Sequence, residues 1–283
     1  MASVLNTNMA SISAQRYLTN AQNKLSASFE KLSSGSRINR AQDDAAGMGI
    51  SQKLTASINA TSMSIRNAND AVGVLQTAEG ALAEISTMLQ RFKELSVQGA
   101  NAALSSTQRG FLATEMAGLK TEISAVSART KFNGTPLLTS SGATLAFQTG
   151  EATTDSIEVL TVNVTTQFSE VATLIGTSFS SNGVGGSNAT TAFTALAGVI
   201  DSAIDQIATQ RATYGAQVNR LGHNLNNLAA LYENLSAANS RVVDTDYANE
   251  TANLTKTQIL QQAATAMLSQ ANSQPNVVLA LLK

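Results

Sequence analysis

The chain has no cysteine, which excludes a disulfide framework, a thiol nucleophile and thiolate metal ligation. Its two prolines are Pro136 and Pro275, so residues 1–135 are free of the strongest helix breaker. There is no Trp, and only four Tyr and eight Phe occur in 283 residues. So few bulky side chains suit narrow, Ala-rich seams between helices better than a thick globular core. Charge is scarce and balanced, 18 Lys and Arg against 19 Asp and Glu. Without a basic patch, nucleic acid is not an expected partner. Near-neutrality also leaves little long-range repulsion to oppose self-association. No apolar run approaches the length of a bilayer span, so no membrane partner is expected. The first residues lack a basic segment, an apolar block and a small-residue cleavage site, and read as no secretory leader. Taken bare, this indicates a cytosolic protein unless a dedicated export route reads another feature.

What the chain does have is spacing. Ile200, Ile204, Ile207, Arg211, Tyr214, Val218, Leu221, Leu225, Leu228, Tyr232 and Leu235 step by alternating fours and threes. This is an a/d seam sustained over a long helix, and it requires a partner of similar length. Residues 45–100 supply one. Leu54, Ile58, Thr61, Ile65, Ala68, Val72 and Leu75 keep the same rhythm. After a single phase slip, Ala78, Leu82, Ile85, Leu89 and Phe92 continue it.

Around these two helices the chain is laid out almost as a mirror image. Residues 1–34 read as a helix with apolar positions Leu5, Met9 and Ile12, then a shifted stripe of Leu18, Ala21, Leu25, Phe29 and Leu32. Residues 36–44 form a charged connector, with Asp43 and Asp44 placed to favour the next helix N-terminus. A further helix carries Leu112, Met116, Leu119, Ile123 and Val126, and Asn133-Gly134 with Pro136 closes the helical half. Alternation at Leu145 and Phe147, a turn at Thr149-Gly150 and the β-branched run 157–164 predict one or two hairpins. Residues 180–188 read as a loop, and a helix over 195–242 returns the chain. After the acidic Asp244-Thr245-Asp246, a last helix carries Leu260, Ala264, Met267, Ala271, Gln274, Val278 and Leu281, with Pro275 expected to kink or fray its tail. The expected fold is therefore mainly α. It is a long antiparallel helical bundle or coiled coil with a small β-hairpin region and the two termini paired at one end. Two readings stay open for the terminal helices: folding back on the bundle, or ordering only on assembly with neighbours.

Chemistry-bearing motifs are missing. His223 is the sole histidine and lies on a polar helix face, without a second ligand nearby in sequence. Neither a GxxxxGK phosphate loop nor a GxSxG nucleophile elbow occurs. Asp43 and Asp44 read as a cap rather than an acid–base pair. The Asn-x-Ser/Thr triplets at Asn59 and Asn188 are of the kind that arises by chance in an Asn- and Thr-rich chain. No catalytic residue, metal or cofactor is expected.

Several segments carry a resemblance. Leu32-Ser33-Ser34-Gly35-Ser36-Arg37-Ile38-Asn39, with Asp43-Asp44-Ala45-Ala46-Gly47 after it, closely resembles the N-terminal hallmark of bacterial flagellin. Arg66-Asn67-Ala68-Asn69-Asp70 and residues 89–95 are similar to the same half. Residues 236–241, Asp244-Thr245-Asp246-Tyr247-Ala248, residues 258–263 and Ala271-Asn272 resemble the family's C-terminal half. The likeness covers roughly residues 1–165 and 195–283, in order.

The resemblance implies an inner terminal domain built from residues 1–44 and 244–283. A rod domain would be built from 45–165, including a hairpin at Gln148-Thr149-Gly150, and from 195–243. Residues 166–194 would be a short loop region where longer flagellins carry large outer domains. It implies a structural subunit of the flagellar filament that polymerises with itself and works extracellularly as a helical propeller. Export would run through the flagellar type III apparatus without a cleaved signal. Partners would be a secretion chaperone at the C-terminal helix and the filament cap and hook-junction proteins. The vertebrate flagellin receptor is a further partner. Arg91, Leu95 and Glu115 match the receptor-binding positions, Leu89, Gln90 and Leu112 the supporting ones, and Gly118 replaces a polar residue found in some stimulatory members. The rival expectations are a hook–filament junction protein and, in another class, a cytoplasmic coiled-coil signalling protein.

Overall fold

The computed structural model describes residues 7–139, 144–152, 154–161, 163–164 and 189–281. In chain order these form α1 (Met9–Ser34), α2 (Ala45–Gly99) and α3 (Ser106–Arg129). Four short strands follow, β1 (Lys131–Phe132), β2 (Thr135–Pro136), β3 (Thr144–Gln148) and β4 (Ser156–Leu160), and then α4 (Ala189–Val243) and α5 (Tyr247–Leu281). The mainly helical fold expected from the sequence is the observed one. The expected loop over 180–188 falls outside the described residues. The returning helix begins at Ala189, so the expected loop region ending at residue 194 gives way to helix before its end.

The chain divides into two compact units, residues 1–58 with 233–283 and residues 59–232. The second unit holds the hydrophobic core. From α2 it takes Ala68, Leu75, Leu82, Ile85, Leu89, Phe92 and Leu95, from α3 Met116 and Ile123, and from α4 Phe193, Ile200, Ile207, Tyr214 and Leu221. Each such large side chain contributes about 1.5–3 kcal/mol on burial. Ion pairs between Lys93 and Asp201 and between Glu79 and Arg211 fix the two long helices antiparallel in this unit. Gly99 ends α2 directly under the Phe193 ring, where an added Cβ would lie 2.3 Å from a ring carbon.

Local chemistry explains the boundaries. Asp44 accepts the Gly47 amide at 2.8 Å and so caps α2. Ser105 and Gln108 form a reciprocal capping box at the start of α3. The buried Arg109 guanidinium donates to the carbonyls of Gly99 and Asn101, placing a cation where the α2 dipole is negative. Asn133 and Gly134 both have positive φ, 48° and 82°, the requirement of a two-residue hairpin turn. They therefore join β1 to β2 as well as closing the helical half. In the β3–β4 hairpin, Leu145 faces Val159 and Phe147 faces Ile157. These alternate side chains meet the core while Ala146 and Glu158 look outward.

In the first unit α1 and α5 pack against each other. Asn8 Nδ2 donates to the Ala271 carbonyl at 2.7 Å and Ser11 Oγ to Asn272 Oδ1 at 2.8 Å. At the other end of α1, the Tyr247 hydroxyl donates to the Leu32 carbonyl. The pair is thus antiparallel. The connectors also meet. Arg37 N donates to Val243 O at 2.6 Å, Thr245 N to Gly35 O at 2.9 Å, and the Arg37 guanidinium to Val242 O. Gly35 is left-handed, with φ 70°, as a helix C-terminus of this kind requires.

Candidate assembly and docking surfaces

On α1 the expected Leu18, Ala21, Leu25 and Leu32 face inward while the expected Met9, Ile12 and Phe29 do not, and on α5 part of the expected stripe is displaced. On α1 the inward positions are Ser11, Ala14, Leu18, Ala21, Leu25, Ser28 and Leu32, an unbroken three–four series. The phase irregularity expected in this helix disappears, because Ser and Ala fill positions that a hydrophobicity pattern passes over. Met9, Ile12, Tyr17 and Phe29 point away from α5 into solvent. On α5 the inward series is Leu254, Thr257, Gln261, Ala264, Leu268 and Ala271. Of the expected stripe, Ala264 and Ala271 face inward, whereas Leu260 and Met267 are exposed. The stripe ran one residue out of phase at those two positions. The side chains of Gln274 and Ala271 differ in the same way, the former exposed and the latter buried. Val278 and Leu281 lie in the helix, but their side chains fall outside the described residues.

Pro275 does not end α5, which continues to Leu281. A proline has no N–H for the carbonyl four residues earlier, here that of Ala271. That carbonyl instead accepts from Asn8, whose own side-chain oxygen caps α1 at the Ser11 amide. One Asn side chain thus serves both helices.

Two carboxylates organise the connectors. Asp246 accepts from the Ala248 and Asn249 amides and starts α5, and the Asn249 backbone and side-chain donors hold it below the usual carboxylate range. Asp43 accepts from the Arg40 and Asn39 amides, which lower it in the same way. Asp43 therefore shapes the connector loop, and Asp44 alone caps α2.

A second surface lies on α2 and α3 in the larger unit. Arg91 bridges Glu115 at 2.9 Å and Glu94 at 2.9 Å, and both acids raise its pKa, Glu94 first. Gln90, Lys93, Glu94, Val97 and Gln98 line an open, largely apolar depression of about 610 Å³ beside this network. Of the six residues matched to receptor positions, Gln90, Arg91 and Glu115 are exposed and Leu112 is half-buried. Leu89 and Leu95 are 0% and 1% exposed in the core, so these two support the surface from beneath rather than presenting themselves on it. The sequence reading missed Phe111, which is 70% exposed one turn before Glu115. The available signal was a large aromatic standing just off the α3 apolar stripe.

On α4 the seam residues Ile200, Ile207, Leu221 and Leu228 are buried, and Ile204, Val218, Leu225 and Leu235 are half-buried. Tyr232 points outward. His223 is exposed. Among the described residues no group of three or more potential metal ligands exists, and no helix is long and apolar enough to cross a membrane.

A long-helix subunit with a closed core and a second, outward-apolar helix pair is the kind of protein that completes itself against other copies. Residues 5–143 match the bacterial flagellin N-terminal helical region and residues 197–282 the C-terminal helical region. The flagellin of Bacillus subtilis (strain 168) is 40% identical, with 99% of each chain covered. Flagellin A of Vibrio anguillarum is 33% identical over the whole of both chains. Among solved structures, Bacillus cereus flagellin is 30% identical with a TM-score of 0.49, covering 62% of this chain and 94% of its own. A Vibrio parahaemolyticus chain described as a flagellar hook-associated protein superposes with a TM-score of 0.60. That match covers 71% of this chain and all of its own at 13% identity, a likeness of fold alone. The chain belongs to the bacterial flagellin family and is a structural subunit of the flagellar filament.

Proposed function

We propose that the α1–α5 pair is the element that locks each subunit to its neighbours, and that residues 45–165 with 195–243 act as the rod that spaces and stiffens the polymer. The observation that carries this is the inverted packing of the pair. Its internal seam alternates Ser, Thr and Ala with Leu18, Leu25, Leu32, Leu254 and Leu268, while Met9, Ile12, Tyr17, Phe29, Ile259, Leu260 and Met267 face out. Apolar surface of that extent is unfavourable in water and becomes favourable when a second copy covers it. Rotation of the filament then gives thrust because packed interfaces hold discrete alternative arrangements, which allows a supercoil. Purified chain added to short filament seeds should elongate them in proportion to its concentration. Seeds that stay unchanged at every concentration would overturn the assignment.

The resemblance supports finer roles for the same surfaces. Before export through the flagellar type III apparatus, a secretion chaperone covers the outward apolar face of α5. At the growing end a cap protein, and at the base hook-junction proteins, take the place of further copies. The exposed set Gln90, Arg91 and Glu115, with Phe111 beside it, is the surface offered to the vertebrate flagellin receptor. An Arg anchor is the kind of contact that dominates such interfaces. Arg91→Ala monomer should give a weaker response in a receptor reporter, and an unchanged response would remove this role.

A further inference from the structure

With no cysteine, the sulfur of this chain resides in its seven methionines. Their surroundings differ. Met116 is 1% exposed in the core of the larger unit, and Met88 packs against that core. Met9 and Met267 are 68% and 66% exposed, the most open methionines among the described residues. They stand at the same end of the antiparallel α1–α5 pair. Met9 follows Asn8, which bonds Ala271, and Met267 lies one turn before Ala271. Neither belongs to the internal seam of the pair, so changing their chemistry leaves the seam intact. Both are among the apolar side chains that the pair turns to solvent.

We propose that Met9 and Met267 are an oxidation site that controls subunit addition, an inference that rests on the assembly role given to this face. The oxidant is hydrogen peroxide. The thioether sulfur attacks one peroxide oxygen, the O–O bond breaks, an S–O bond forms and water leaves. Sulfur is oxidised by two electrons, peroxide is reduced by two, and no carbon bond changes. The product is a methionine sulfoxide, a polar and strongly accepting group on a formerly apolar side chain. Among the exposed large hydrophobic side chains of α1 and α5, Ile12, Phe29, Ile259 and Leu260 carry no side-chain donor to satisfy it, and only Tyr17 and Tyr247 carry a hydroxyl. Burying an unsatisfied acceptor between copies is unfavourable, so the oxidised subunit does not add. Accessibility directs the reaction, since the buried Met116 is shielded and no thiol competes. Once added, a subunit has this face covered and is protected. Methionine sulfoxide reductase reverses the change, which makes it a switch on the free subunit.

The test treats monomer with hydrogen peroxide, maps sulfoxides by peptide mass spectrometry and measures seeded elongation. Oxidation should appear first at Met9 and Met267, and elongation should slow by about tenfold or more with an unchanged far-ultraviolet spectrum. Reductase treatment should restore it. The double variant Met9→Leu, Met267→Leu should elongate seeds and keep doing so after peroxide, while Met63→Leu should remain sensitive. In partly oxidised wild type, sulfoxides at Met9 and Met267 should be enriched in the soluble fraction over the polymer, a readout that needs no variant. Equal partition of those sulfoxides, or full conversion without slowing, would overturn the proposal while leaving the assembly role standing. Failure of untreated monomer to elongate seeds would instead remove the assembly role, and this switch with it.

Discussion

The larger unit and the terminal helix pair share a four–three spacing and use it differently. In the larger unit Leu75, Leu82, Ile85, Phe92, Ile200, Tyr214 and Leu221 point into the seam and are fully or almost fully buried. In the terminal pair the buried seam positions are the small Ser11, Ala14, Ala21, Ser28, Thr257 and Ala271, the seam leucines Leu18, Leu25, Leu32, Leu254 and Leu268 are only half-buried, and Met9, Ile12, Phe29, Leu260 and Met267 look outward. The larger unit, with big side chains inside, is therefore completed by its own chain. The pair, by contrast, has a narrow internal interface, little to gain from closing alone, and a second face still to cover.

The comparison breaks most sharply with paired charge insertions. Leu221→Asp places an uncompensated carboxylate in the core and should cost several kcal/mol, roughly 3–5, with loss of the cooperative melt and of polymer. Leu260→Asp puts the same charge on the exposed face of α5. It should leave the monomer melt within about 0.5 kcal/mol of wild type and still abolish seeded growth. A Leu260→Asp chain that polymerises normally, or melts like Leu221→Asp, would erase the distinction. Gly99→Ala comes next, because its Cβ would strike the Phe193 ring. Overpacking there should destabilise by about 1–3 kcal/mol in urea melts, with partial recovery on Phe193→Leu. Asn8→Ala removes the α1 cap and the donor for the Ala271 carbonyl. A loss of about 1 kcal/mol, confined to the α1–α5 pair in residue-resolved hydrogen exchange, is expected.

The smallest effect concerns pH. Asp43 and Asp246 are held below the ordinary carboxylate range by amide donors, Arg40 foremost for the first and Asn249 for the second. Their contribution is present above the unfolded pKa of about 3.9 and lost as pH falls through the lower folded values. Both are fully exposed, so the stability change is slight, but the NMR shifts of the Arg40 and Asn249 amides should titrate with midpoints below that value. Midpoints at or above it would show that these turns do not depend on the carboxylates.

Much of this was legible in the sequence, and what was not has physical causes. The long α2 and α4 helices follow from apolar residues at four–three spacing over many turns, interrupted in α2 by one phase slip between Leu75 and Ala78. In α1 the stripe of Leu18, Ala21, Leu25 and Leu32 was legible, whereas Met9, Ile12 and Phe29, and Leu260 and Met267 in α5, were placed in the seam because a pattern of hydrophobicity follows the largest apolar residues, and these face solvent. Ile12 and Phe29, and likewise Leu260 and Met267, are exposed, while Ser11 and Ser28 are buried in the seam. Pro275 was expected to kink or fray the tail of α5 because the donor that takes up the freed Ala271 carbonyl, Asn8, is distant in sequence. Leu89 and Leu95 were carried to a surface by resemblance, although they belong to the same four–three series as Leu82 and Phe92 or lie beside it. Arg109 was invisible because a buried cation capping a preceding helix leaves no periodic trace.

Hydrogen exchange on monomer and on polymer tests most directly the claim that the terminal pair is completed by neighbours and the larger unit by itself. In monomer, amides of α1 and α5 should exchange orders of magnitude faster than those of α2 and α4 around Leu82 and Ile207, and polymerisation should protect the former while leaving the latter nearly unchanged. Strong protection of α1 and α5 in the free subunit, or no gain on polymerisation, would contradict the account.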